Sequence, residues 1–115
     1  MIYEDERGKI IDVTDMPFEG LQIIHSKKGS VRSNHYHKKG GHLLYVVSGK
    51  MLYEEHPVTE PDKISTKILW EGMSVFTGAM LVHKTTFMED TILVCCPTLK
   101  RTEGGYQDDL VRCEI

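Results

Sequence analysis

The pattern of apolar residues excludes long helices. No stretch behind a capping residue places apolar side chains at i, i+3, i+4 and i+7 for more than about two turns, the spacing an amphipathic helix needs. Short β-rich runs fill the chain instead, over 9–13, 21–27, 31–37, 42–47, 50–55, 63–70, 74–76, 85–88, 91–96 and 106–111. Turn signals at 28–30, 39–41, 48–50, 60–62, 71–72 and 103–105 separate them. Many short strands with frequent turns predict an all-β sandwich or barrel, whose closure hides the edges such strands expose. The runs 50–55 and 63–70 read as one hairpin, across a polar loop in which Pro57 and Pro61 stop pairing. That loop puts His56 in solvent, and His25, beside Ser26 and Lys27, reads as a surface residue too.

At 115 residues the chain is the size of one domain, expected to span 1–115. A net charge of −3 argues against a basic nucleic-acid surface. The longest apolar runs, 43–47 and 91–96, fall far short of the roughly 20 residues of a membrane helix, so no membrane partner is expected. No charged-then-apolar leader opens the sequence, and no secretory signal is expected. Cys95 and Cys96 are adjacent and Cys113 is isolated, which fits no metal spacing. They read as reduced, mostly buried thiols of a cytoplasmic protein.

Four of the six histidines carry the chemistry. On a strand, His35 and His37 project from one face while Tyr36 points the other way. His42 follows a short glycine loop, and His83 comes from a distant segment. Neutral imidazole offers a lone pair without adding charge, which makes it the commonest protein ligand for transition metals. Two histidines at i and i+2, a third nearby and a fourth from elsewhere can surround one ion.

Their spacing resembles the cupin family. The first cupin motif, G-x5-H-x-H-x(3,4)-E-x6-G, has its counterpart in Gly29, His35, His37, His42 and Gly49. The second, G-x5-P-x-G-x2-H-x3-N, is matched in its intervals by Gly72, Gly78, Met80, His83 and Phe87, with Gly78, Met80 and Phe87 replacing the usual Pro, Gly and Asn. The resemblance implies an all-β, single-domain double-stranded β-helix, or jelly-roll barrel. It also implies a site for one divalent transition metal (Zn, Ni, Fe, Mn or Cu) on His35, His37, His42 and His83. His42 stands where the family usually carries glutamate, so the set is neutral and leaves the ion its full charge, favouring anionic ligands.

Further residues resemble the sugar-nucleotide branch of that family, the dTDP-4-keto-6-deoxysugar 3,5-epimerases and ketoisomerase-like cupins. They are Asp5, Arg7 and Gly8 with Ser30, Arg32, Ser33 and His35, while Glu89, Asp90 and Thr91 followed by the tail from Gly105 to Arg112 resemble the closing segment of small cupins linked to sugar and polysaccharide biosynthesis. Ser33 replaces the usual Gly, and the epimerases proper use their histidine as a base without metal. The comparison implies a small-molecule substrate, anionic or carbohydrate, with Arg32 meeting it through its forked donors. Counting 83, 85, 87, 89 along a strand places Glu89 inward beside His83, as a candidate base. A metal-dependent isomerase or epimerase, a metal-dependent dioxygenase and a non-catalytic metal- or ligand-binding module are the competing functions. Strand-like ends at 1–13 and 106–115 predict a homodimer.

Overall fold

The computed structural model describes residues 1–100 and 109–112. Its regular elements are strands: β1 Ile2–Asp5, β2 Gly8–Ile11, β3 Gln22–Ser26, β4 Val31–His37, β5 His42–Ser48, β6 Lys50–Pro57, β7 Ser65–Trp70, β8 Ser74–Thr77, β9 Leu81–Phe87, β10 Thr91–Pro97 and β11 Leu110–Arg112. All ladders are antiparallel. One sheet runs β3-β10-β5-β8, a second runs β11-β4-β9-β6-β7, and among the described residues β1 and β2 pair only with each other. The architecture is all-β, as the alternation predicts. No helix of the described residues is long and apolar enough to cross a membrane.

Alternation decides what each sheet buries. Leu44 and Val46 of β5, Met51 and Tyr53 of β6, Phe87 of β9, and Leu93 and Cys95 of β10 point between the sheets and form the core, with Leu69 and Val75. Cys95 is buried and Cys96 half-buried, and Cys113 lies outside the described residues.

The predicted hairpin of β6 and β7 is present, but β6 runs on to Pro57, which pairs with Leu81. A proline at a strand's last position withholds no N–H that the ladder needs there. His56 is therefore a strand residue, 7% exposed, with Nδ1 at 2.7 Å from the Pro57 carbonyl, and not a solvated loop residue. His25 is exposed, as expected. β9 begins at Leu81, four residues before the predicted run. The first hairpin closes around Glu6 and Arg7: Asp5 Oδ1 accepts from the Arg7 backbone N–H at 2.9 Å, and Gly8 takes φ +133°. Asp5, Arg7 and Gly8 thus build a turn. Only 110–111 of the predicted run 106–111 lies in a strand, and 101–108 lie outside the described residues.

Candidate metal centre and its cavity

The site forms where β4 meets β9. In their ladder Arg32 pairs with Thr85 and Ser33 with Lys84; then the register shifts, and His35 pairs with His83. The shift is a β-bulge at Ser33 and Asn34, whose φ angles of 75° and 60° are left-handed. Residues three apart on a regular strand face opposite sides. The extra residue is absorbed here, so Arg32 and His35 both share a face with the buried Thr85 and His83. Ser33 therefore keeps the left-handed backbone that the resembling pattern gives to glycine. Met80 does the same in the second motif, with φ 61°. Its N–H donates to the His37 carbonyl at 2.7 Å and its carbonyl accepts from Val58 N–H at 3.0 Å, which hold it there.

His35, His37 and His83 each offer a ligand nitrogen, and the three lie within 4.8 Å of one another, all buried. His42 stands beside this triad, 4% exposed, with its ring centre 4.9 Å from His83 and 5.8 Å from His37. Sequence spacing thus identified four neighbouring histidines, of which three converge through their ligand atoms.

Polar neighbours orient the rings. His83 Nδ1 lies 3.1 Å from the Leu81 carbonyl, which only accepts, so Nδ1 carries the proton and Nε2 keeps its lone pair. That Nε2 is buried without a hydrogen-bond partner, as expected of a ligand atom. His37 Nδ1 lies 3.6 Å from Asp109 Oδ2, the carboxylate–histidine arrangement that fixes ring orientation in metal sites. Asp109, 6% exposed, also accepts from the N–H groups of Lys39 at 2.7 Å and Gly40 at 2.8 Å. One side chain so ties the loop between β4 and β5 to the cluster. Its role was not legible in the sequence, because it sits far down the chain with no local pattern.

Burial, then the nearby His83, His37 and Arg112, push the His35 pKa from 6.5 down to about 3. Burial foremost pushes His83 down to about 4. Both rings are neutral at pH 7, the form that ligates.

A cavity of about 500 Å³ opens beside the cluster. His35 and His42 stand on its wall with Arg32 and Arg112, and Ile24, Leu44, Phe87 and Leu93 supply an apolar side. Arg32 is held by Nε–H donating to Ser26 Oγ at 2.8 Å and by its guanidinium donating to the His25 carbonyl at 3.2 Å. Arg112 pairs in register with His35, which places it on the same face.

Glu89 is not on that wall. β9 ends at Phe87, and Glu89 is exposed in the turn to β10, where its carbonyl accepts from the Thr91 hydroxyl at 2.9 Å. The inward count 83, 85, 87 is correct and stops there, because β6, the strand that β9 pairs with, begins at Lys50, whose carbonyl takes the Met88 N–H, and offers no partner beyond it. A carboxylate that the sequence reading did not single out lies closer: Glu55 pairs in register with His83 across β6 and β9. Its Oε2 accepts from the Tyr53 hydroxyl at 2.8 Å, and that hydroxyl also bonds Thr77, which pairs with His42. Tyr53 is fully buried and bridges the two sheets beneath the histidines; burial pushes its pKa up.

No family model matches the sequence, and no curated protein sequence matches it. Solved structures do. QdtA, a sugar 3,4-ketoisomerase from Thermoanaerobacterium thermosaccharolyticum in complex with TDP, is similar at TM-score 0.80 and 16% identity over 97% of this chain and 82% of that one. A 3,4-ketoisomerase from Helicobacter canadensis is similar at TM-score 0.80 and 18% identity, over 97% of this chain and 85% of that one. A dTDP-4-dehydrorhamnose 3,5-epimerase from Sulfolobus tokodaii is similar at TM-score 0.71 and 22% identity, over 87% of this chain and 67% of that one. The fold is the double-stranded β-helix of the cupins, as the spacing of the histidine motifs implies.

Proposed function

We propose that this chain is a mononuclear transition-metal enzyme that isomerises or epimerises a small oxygenated substrate, a carbohydrate or sugar nucleotide. The observation that carries the reading is the convergence of three buried imidazoles beside a cavity that also presents two guanidiniums. The likeness of the fold to sugar ketoisomerases and an epimerase supports the substrate class. His35, His37 and His83 would hold one divalent ion, Zn, Ni, Fe, Mn or Cu, with His42 as the fourth ligand. When bound, such an ion acts as a Lewis acid toward a substrate carbonyl.

The chain's own groups do the rest. Arg32 and Arg112 bind and orient an anionic group of the substrate through paired N–H donors. The Leu81 carbonyl keeps His83 in its ligating tautomer, and Asp109 keeps His37 turned toward the cluster. The apolar wall of Ile24, Leu44, Phe87 and Leu93 keeps water from the bound carbon skeleton. The protein acts as a homodimer in the cytoplasm.

Elemental analysis of the purified protein tests the metal half. About one transition-metal ion per chain is expected, lost or much weakened in His35→Ala and in His83→Ala. Full stoichiometry in both variants would refute the site. Thermal stabilisation by TDP-sugars, and their exchange of carbon-bound hydrogen for deuterium, test the substrate class.

A further inference from the structure

We infer that β11 couples the two halves of the site, so that a metal ion on the histidines and an anion at Arg112 each strengthen the other's binding. The inference rests on the metal and substrate reading above and supplies a carrier between its two parts. The first observation concerns His37. The ladder between β4 and β9 ends at the pair His35 and His83. Beyond that pair, among the described residues, β4 has only β11 for a ladder partner: Val111 lies against Tyr36 and Leu110 against His37. Asp109, the residue before the strand, holds the loop that follows His37. Its carbonyl accepts from Lys38 N–H at 2.9 Å, and its carboxylate accepts from Lys39 and Gly40 and stands 3.6 Å from His37 Nδ1. Gly40 makes the approach possible, since a Cβ there would lie 2.9 Å from the Leu99 side chain and 3.1 Å from Asp109 Oδ2. One metal-ligating histidine thus takes both its strand pairing and its ring orientation from 109–112.

The second observation is that the same segment walls the cavity. Leu110 and Arg112 pair with the inward residues His37 and His35, and both line the cavity. Arg32, the other guanidinium, spends donors on Ser26 Oγ and the His25 carbonyl, which tie β4 to β3. No carboxylate among the described residues pairs with Arg112, so its donors are open to a ligand.

The third is how lightly the segment is attached. β11 is an edge strand with one neighbour and three ladder pairs, against seven pairs between β6 and β9. Short edge elements with few contacts open at the low end of a protein's range of local stabilities. A metal favours the docked strand because Asp109 then sets His37, and an anion favours it because Arg112 then stands on the wall. Two ligands that prefer the same arrangement of one element must help each other, by the same factor in both directions.

Hydrogen exchange read by mass spectrometry, with zinc alone, TDP alone and both, is the test, joined to calorimetry of TDP binding to metal-free and zinc-loaded protein whose zinc content is checked after titration. Each ligand alone should slow exchange at 39–40 and 110–112, and zinc should raise TDP affinity about fivefold or more. In Asp109→Asn, at zinc concentrations that fill the site, zinc should no longer slow β11 and the gain should fall below about twofold. In Arg112→Gln, zinc should still slow β11 and TDP should not. Zinc and TDP both bound with exchange of β11 unchanged would overturn this inference alone. So would a gain undiminished in Asp109→Asn, which would mean that the ion and the anion meet directly, and so would TDP protection that survives Arg112→Gln. Zinc binding without TDP binding would overturn the coupling together with the substrate half of the proposed function, and binding of neither would overturn that function as a whole.

Discussion

Acid should destabilise the metal-free protein by an amount that two histidines set. His35 and His83 are neutral in the fold, with pKa values of about 3 and about 4 against 6.5 for an ordinary imidazole. A lowered folded value means that the unfolded chain binds the extra proton, so the stabilisation is complete above about pH 6.5 and drains away as pH falls toward the folded values. At pH 5 both rings are still unprotonated in the fold. The loss then depends only on how far the unfolded rings protonate, a ratio of roughly 30 to 1, or about 2 kcal/mol for each ring relative to pH 7. The two together amount to about 4 kcal/mol, a large share of a small domain's stability. Urea unfolding of chelator-treated protein at pH 7 and pH 5 measures the total, to which carboxylates also contribute. The histidine share is isolated by His83→Gln, whose stability should fall by about 2 kcal/mol less over the same interval. Equal pH dependence in the variant and the wild type would refute the reasoning, because it would mean that His83 protonates as readily folded as unfolded.

Three other perturbations follow from the geometry. Asp109→Asn removes the carboxylate behind His37 and should weaken metal affinity about 10- to 100-fold in a chelator competition while folding is retained; unchanged affinity would remove Asp109 from the site. Gly49→Ala forces a Cβ to 2.5 Å from the Asp90 carbonyl at φ +100°, and should cost about 3 kcal/mol or more in urea unfolding. Arg32→Ala should weaken binding of a TDP-sugar about tenfold and flatten its dependence on salt, read by calorimetry at two ionic strengths; a purely structural Arg32 would leave the salt dependence as it was.

The legible part of this protein was its alternation. Period-2 runs gave most strands and put His35, His37 and His83 on inward faces without any coordinate. What stayed hidden was whatever depends on where a ladder ends or slips. His56 looked like a loop residue because Pro57 follows it, yet proline is harmless at a strand's last position. Glu89 looked inward because counting by two has no stop signal, and the stop lies in the partner strand β6, which begins at Lys50 and pairs no further than Met88. Asp109 and Glu55 join the site only through pairing between distant strands, which no local pattern encodes. Turn chemistry was legible in position but not in tolerance. Ser33 and Met80 adopt the conformation that the motifs reserve for glycine, so the departures changed the residue and left the backbone path intact.

The slip at Ser33 and Asn34 makes curvature and inward identity separately adjustable. A chain without Asn34 would run straight from Ser33 into His35 and still send Arg32, His35 and His37 to the interior, because the surplus residue lies between two positions already in phase. Shortening this strand by one residue would change the angle at which the guanidinium approaches the imidazoles and nothing in their order. Here the spacing between the Arg32 guanidinium and the His35 imidazole can vary by deletion alone, with no residue replaced.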